Sequence, residues 1–192
     1  MSNPLLIEQK HSALIVRFNR PEIRSPLSTS VLEQLDKVLG EIESSDALMK
    51  IIFTGKDDVF ASGADLREIV ELNSVSARQF AQLGQGLMNR IGALRPVSVA
   101  AINGYCFGGA LDLALACKRR IASPNATFSH PGAGLGIITG WGGTQRLPRL
   151  IGQARALEMF LTAGRFLAGE VLGWGLIDSI ADDPVSAALN ME

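Results

Sequence analysis

Ile102-Asn103-Gly104-Tyr105-Cys106-Phe107-Gly108-Gly109-Ala110-Leu111-Asp112-Leu113 is the stretch on which the reading of this chain turns. Val97 to Ile102 is a short apolar run with the composition of a buried strand, and Gly108 to Cys117 reads as a strongly apolar helix. Between them a glycine pair removes Cβ atoms at a helix start. Backbone N–H groups at a helix start have no intrahelical partner, and they suit a developing negative charge. Tight packing of helix on strand is the other reading of the same pair. Neither G-x-G-x-x-G nor G-x-x-x-x-G-K-[ST] is present, so this is no nucleotide fingerprint. Asp112 lies between Leu111 and Leu113, with Ala114 and Leu115 beyond. A carboxylate so placed is costly unless it is partnered or works. It is either a catalytic acid or a capping acid. Apolar neighbours raise its pKa and the helix start lowers it, so no net direction is expected.

A second loop has the same character. In Phe60-Ala61-Ser62-Gly63-Ala64-Asp65-Leu66, small residues precede a helix start near Ala64, and Asp65 suits a first helical turn. The segment is either a ligand loop or a loop capped by Asp65. Around these loops strand and helix alternate. Leu5 to Gln9 and Ala13 to Phe18 form a hairpin turning at Lys10-His11-Ser12. Val31, Leu32, Leu35, Val38, Leu39 and Ile42 predict a helix over 28–42. Lys50 to Thr54 is a strand. Ser76 with Gln79 makes a capping box for a helix to about Leu94, stopped by Pro96. A strand at Arg120 to Ala122, helices near 154–162 and 168–174 and a strand at 177–180 follow. Asp182 to Glu192 holds one weak amphipathic turn. The alternation predicts an α/β fold with parallel connections, as a doubly wound sheet or a repeated ββα spiral.

With 192 residues, 47% hydrophobic and 19% charged, the chain predicts one domain over 1–192 with a sizeable core. A net charge of −1 gives no sign of nucleic acid as a partner. Two cysteines, Cys106 and Cys117, and two histidines argue against a zinc site or a disulfide framework. They fit buried thiols in a cytoplasmic protein. No leader pattern follows Met1, and no run of ~18 apolar residues predicts a membrane span.

Three motifs in order carry a resemblance: Phe60-x-x-Gly63-Ala64-Asp65; Ala101-Ile102-Asn103-Gly104-Tyr105-x-x-Gly108-Gly109; and Gly136-x-x-x-x-Trp141-Gly142-Gly143-Thr144-Gln145-Arg146-Leu147, with Asn19-Arg20-Pro21 upstream. Over residues 5–185 the chain resembles the enoyl-CoA hydratase/isomerase (crotonase) family. The resemblance implies a crotonase-like spiral of ββα units and a coenzyme A thioester as substrate, with no covalently bound cofactor. It implies an oxyanion hole from the N–H groups of Ala64 and Gly109, and a homo-oligomer, a trimer or dimer of trimers. Arg24, Ala64, Asp65, Leu66, Arg67, Gly108, Gly109 and Gly132 fall at coenzyme A or substrate positions, and Asp112 at the first catalytic acid. The second acid of the hydratases falls on Gly132, and Lys118 stands where the family has Asp. His130, beside that gap, is either a base or a structural histidine. Family members continue into a helical C-terminal segment that this sequence does not include. The implied reaction is hydration, dehydration or double-bond shift of an enoyl-CoA. Decarboxylation, thioester or C–C hydrolysis and idle acyl-CoA binding are the alternatives.

Overall fold

A computed structural model describes residues 3–191 of the chain. Met1, Ser2 and Glu192 lie outside the described residues, as do the parts of the terminal readings that fall on them. The hairpin is β1 (Leu5–Lys10) and β2 (Ala13–Phe18), with His11 left-handed in its turn. Helix α1 (Thr29–Glu43) buries Val31, Leu32, Leu35, Leu39 and Ile42 along one stripe, the face the periodicity required. Then come β3 (Lys50–Thr54), β4 (Val59–Ala61), the short α2 (Leu66–Ile69) and α3 (Ser74–Ala93). The capping box of α3 is Asn73 with Ser76, not Ser76 with Gln79. Asn73 is the better acceptor for the first free N–H groups, so the helix starts one turn earlier.

The next units are β5 (Val97–Ile102), β6 (Tyr105–Phe107) and α4 (Gly109–Ala116), then β7 (Arg119–Ala122), β8 (Thr127–Ser129), α5 (Gly143–Ile151) and α6 (Gln153–Thr162). The described chain ends with β9 (Phe166–Leu167), α7 (Ala168–Gly173), β10 (Ser179–Ile180) and α8 (Pro184–Asn190). Two sheets decide between the two α/β readings. One has six strands in the order β1-β2-β3-β5-β7-β10, the other four in the order β4-β6-β8-β9. After the antiparallel β1–β2 hairpin, which lies wholly in the large sheet, the strand pairs β3–β4, β5–β6 and β7–β8 each give their first strand to the large sheet and their second to the small one, parallel to the strands of the neighbouring pairs. That is the spiral and not a doubly wound sheet.

The main core lies between the large sheet and α1, α3 and α4, and α4 is buried from Ala110 through Ala116. The opposite sheet face, Ile15, Ile52, Val99, Ala101 and Ile121, packs Ala188, Val185 and Leu189 of α8. The expected weak turn is therefore a two-turn helix. Asp183 caps its start, and Lys50 Nζ donates to the carbonyls of Ala188, Leu189 and Met191 at its end. Those long-range contacts, not periodicity, fix it. Lys118 has the parallel role on α3, donating from Nζ to the Leu94 carbonyl at 2.6 Å, so its departure from the family's Asp is structural.

Trp141, almost fully buried, is wedged where α3 and α4 carry Gly84 and Gly109; a Cβ at either would overlap its ring. An alanine in a helix interior usually stabilises by up to about 1 kcal/mol over glycine. At Gly84 the sign should reverse. Overpacking against an indole ring costs about 1–3 kcal/mol, so Gly84→Ala is expected to lower stability in chemical denaturation. A rise would contradict the wedge.

Candidate active site

Strands β4, β6 and β8 lie side by side and parallel, so the turns after them meet along one edge of the small sheet. Ser62-Gly63-Ala64 follows β4, Gly108-Gly109 follows β6 and His130 follows β8. All six line one cavity of about 800 Å³ except Gly63, which lies behind it. Gly63 has φ +89°, and a Cβ there would sit 2.6 Å from both the Gly109 nitrogen and the Phe107 carbonyl oxygen. Only glycine allows that conformation together with that approach. The Ala64 and Gly109 N–H groups therefore come close together. Neither donates a backbone hydrogen bond among the described residues. The Gly108 N–H, by contrast, is taken by the Ser129 carbonyl at 2.9 Å.

The sequence-derived coenzyme A positions Arg24, Asp65, Leu66, Arg67 and Gly132 all line the cavity too. Asp65 caps α2, accepting from the Arg67 N–H, and its carboxylate holds the Arg67 guanidinium at 2.6 Å. The Arg67 bonds hold the Asp65 carboxyl below its usual range. Arg24 donates to the Tyr105 hydroxyl at 3.2 Å and lies 4.9 Å from the centre of that ring. Tyr105 stacks on Phe107, and Arg165 approaches both rings. Arg165, Tyr105, Phe107, Thr139 and Trp141 are cavity residues that sequence reasoning did not assign. Tyr105 and Trp141 stood inside the motifs, and Arg165 and Thr139 had no local signal.

Asp112 does not line the cavity. It is fully buried in the first turn of α4, behind Thr139, Trp141 and His130, which do. Its Oδ2 accepts from the Thr139 hydroxyl and, at 3.3 Å, from the Trp141 N–H. Its Oδ1 faces His130 Nε2 at 3.6 Å, and both of these buried atoms lack a hydrogen bond. Burial pushes the carboxyl up to about 6, against the Thr139, Trp141 and Arg146 contributions. The expected balance of opposing effects is thus resolved upward, because the helix around Asp112 is buried on every side. Burial pushes His130 down to about 4. Near neutrality an ionised carboxylate faces a neutral imidazole. Gly132 cannot supply a further acid as the loop stands, since a Cβ there would lie 2.5 Å from the Ile137 carbonyl oxygen.

The sequence model for enoyl-CoA hydratase/isomerase matches residues 8–188. The chain belongs to the enoyl-CoA hydratase/isomerase family. It is 38% identical over 181 residues to the short-chain-enoyl-CoA hydratase of Clostridium acetobutylicum, covering 94% of this chain and 69% of that protein. It is 35% identical over 177 residues to the crotonyl-CoA hydratase of Syntrophomonas wolfei, covering 92% and 68%. Among solved structures, Pseudomonas aeruginosa DspI superposes with a TM-score of 0.93 at 31% identity, over 98% of this chain and 78% of that one. The enoyl-CoA hydratase of Bacillus anthracis gives 0.89 at 34% identity, over 93% and 70%. These likenesses agree with the spiral of ββα units. Within this enoyl-CoA hydratase/isomerase family member, among the described residues, no group of three or more His, Cys, Asp or Glu is placed to hold a metal. No helix among them is long and apolar enough to cross a membrane.

The two buried groups make opposite contributions to stability with pH. His130 is lowered on folding, so its contribution is present above about 6.5 and is lost as pH falls toward 4. Asp112 is raised, so its contribution is present below about 3.8 and is lost as pH rises through 6. Taking the protein from pH 7 to pH 5, His130→Gln keeps only the Asp112 effect and should gain about 1 kcal/mol. Asp112→Asn keeps only the His130 effect and should lose about 2 kcal/mol over the same step. Denaturation of both variants at the two pH values checks this, and shifts of the same sign would contradict it.

Proposed function

We propose that the chain acts on an acyl-CoA, hydrating, dehydrating or isomerising an enoyl-CoA by holding its thioester enolate between two backbone N–H groups. The observation that carries this reading is the pair of unengaged donors at Ala64 and Gly109, brought together on the wall of a cavity large enough for an acyl thioester. Polarising the thioester carbonyl acidifies the neighbouring carbon and makes the β-carbon electrophilic. Both reactions pass through the same enolate. Coenzyme A enters as part of the substrate, with no covalently attached cofactor. Arg24 and Arg67, joined by Arg165, offer guanidinium groups to its phosphates at the cavity wall. The resemblance further supports a cytoplasmic homo-oligomer, a trimer or dimer of trimers. Exposed Leu150, Leu157, Leu161 and Leu172 on α5, α6 and α7 suit a partner subunit.

The test is a panel of short-chain 2-enoyl- and 3-enoyl-CoA substrates followed by mass spectrometry. Hydration adds the mass of one water, and isomerisation leaves the mass unchanged while the conjugated enoyl absorbance changes. Gly63→Ala should lower turnover about a hundred- to a thousandfold in a folded protein, because its Cβ pushes the two donors apart. Loss of carbon dioxide or release of free coenzyme A would move the assignment to another reaction of the family. Tight acyl-CoA binding with no turnover would make the chain an idle binder. Calorimetric affinity should weaken as salt is raised.

A further inference from the structure

Of Thr139, Trp141 and His130, which stand between the cavity and Asp112, His130 carries the titratable side chain. We propose that His130 carries the proton at the acyl chain and that Asp112 acts through it, as a positioning carboxylate; this rests on the enoyl-CoA reading above. Three observations carry the assignment. Asp112 is sealed behind the cavity wall, with Oδ2 already held by Thr139 and Trp141. Its remaining oxygen, Oδ1, faces His130 Nε2 across 3.6 Å, neither of these buried atoms makes a hydrogen bond, and the backbone of Gly143 at the start of α5 is the other neighbour of Oδ1. His130 lines the cavity and directly follows Ser129, whose carbonyl holds the Gly108 N–H beside the Gly109 donor. The separation is longer than a hydrogen bond, as catalytic pairs often are before the reacting complex forms. No carboxylate replaces this arrangement from the Gly132 side, where a Cβ would press on the Ile137 carbonyl.

In this proposal each ring nitrogen has its own role. Nε2–H is directed at Asp112, which leaves the Nδ1 lone pair for the substrate. In hydration, Nδ1 takes a proton from water as the water oxygen bonds to the β-carbon. The double-bond electrons move to the thioester oxygen, held by Ala64 and Gly109. The imidazolium, facing the Asp112 carboxylate, then returns a proton to the α-carbon as the enolate collapses. One water has been added and His130 is neutral again. A double-bond shift needs the same two transfers, from the γ-carbon or α-carbon and back to the other. Asp112 of α4 is the charged group facing the ring. The face toward α6 is apolar, with Phe160 at 5.0 Å, and Arg146 of α5 acts on Asp112. Arg24, Arg67 and Arg165 share the cavity wall.

The experiment uses the full chain and the enoyl-CoA substrate that the wild type turns over best. His130→Gln should lower kcat about a hundred- to ten-thousandfold with acyl-CoA affinity little changed, and added imidazole should restore part of the rate to His130→Ala. Asp112→Asn should lower kcat and move the acid limb of kcat/KM to lower pH, because the imidazolium has lost its counter-charge. Asp112→Glu should recover part of the rate. A merely structural Asp112 would lower the melting temperature and leave that limb in place, which overturns its positioning role. Wild-type kcat in folded His130→Gln overturns the His130 assignment alone, whereas a wild type that binds acyl-CoA without turning any over overturns both readings. Should the His130 variants not fold, the wild type carries the test. The 15N resonance of His130 Nδ1 must shift when a saturated acyl-CoA fills the cavity, and an unmoved resonance overturns the proposal.

Discussion

Everything in the site depends on one close approach of backbone to backbone. Gly63, left-handed at the end of the β4 turn, lies so near the Gly109 nitrogen and the Phe107 carbonyl that no side chain fits between them. Parallel strands β4 and β6 bring the two turns level, and the absence of a Cβ lets them touch. Two N–H groups from turns far apart in sequence then share one face. Fixed dipoles of this kind need no reorganisation when charge develops, and this makes a backbone hole effective in a site shielded from water.

The same economy of small residues governs the layer behind the hole. Trp141 occupies the space left by Gly84 and Gly109 and presents its N–H to Asp112. Trp141 thus links, by its ring, the start of α4 to the long α3 and, by its backbone N–H, both to the buried carboxylate. An isolated ionised carboxylate would be costly here, yet Asp112 has a hydroxyl, a backbone N–H and an imidazole within reach. A structural explanation accounts for Oδ2. It leaves Oδ1 and His130 Nε2, two buried polar atoms facing each other, without a purpose. Proton transfer through the imidazole gives them one.

Much of this was legible in the sequence where local chemistry decides the outcome. The stripe of α1 and the apolar β3 and β5 were readable from periodicity. The loops around Gly63-Ala64 and Gly108-Gly109 were readable from small residues at helix starts. The small sheet was not, because β4, β6, β8 and β9 span two or three residues each, too few for a period to show. Helix α5 was hidden by its glycine start and internal Pro148. The α8 helix depends on Lys50, more than a hundred residues away. At the site, Asp112 stood out by its apolar neighbours, but nothing local showed that it faces His130 or lies behind the cavity wall. Thr139 and Arg165 reach the site only through the path of the chain.

The central claim is that Ala64 and Gly109 hold the thioester oxygen. Isotope-edited infrared spectroscopy of an acyl-CoA labelled with carbon-13 at the thioester carbonyl reads that contact directly. Two N–H donors draw electron density onto the oxygen and weaken the bond, so the carbonyl band of the bound ligand should fall below its position in water. A band that stays at its solution frequency in a saturated complex would contradict the account.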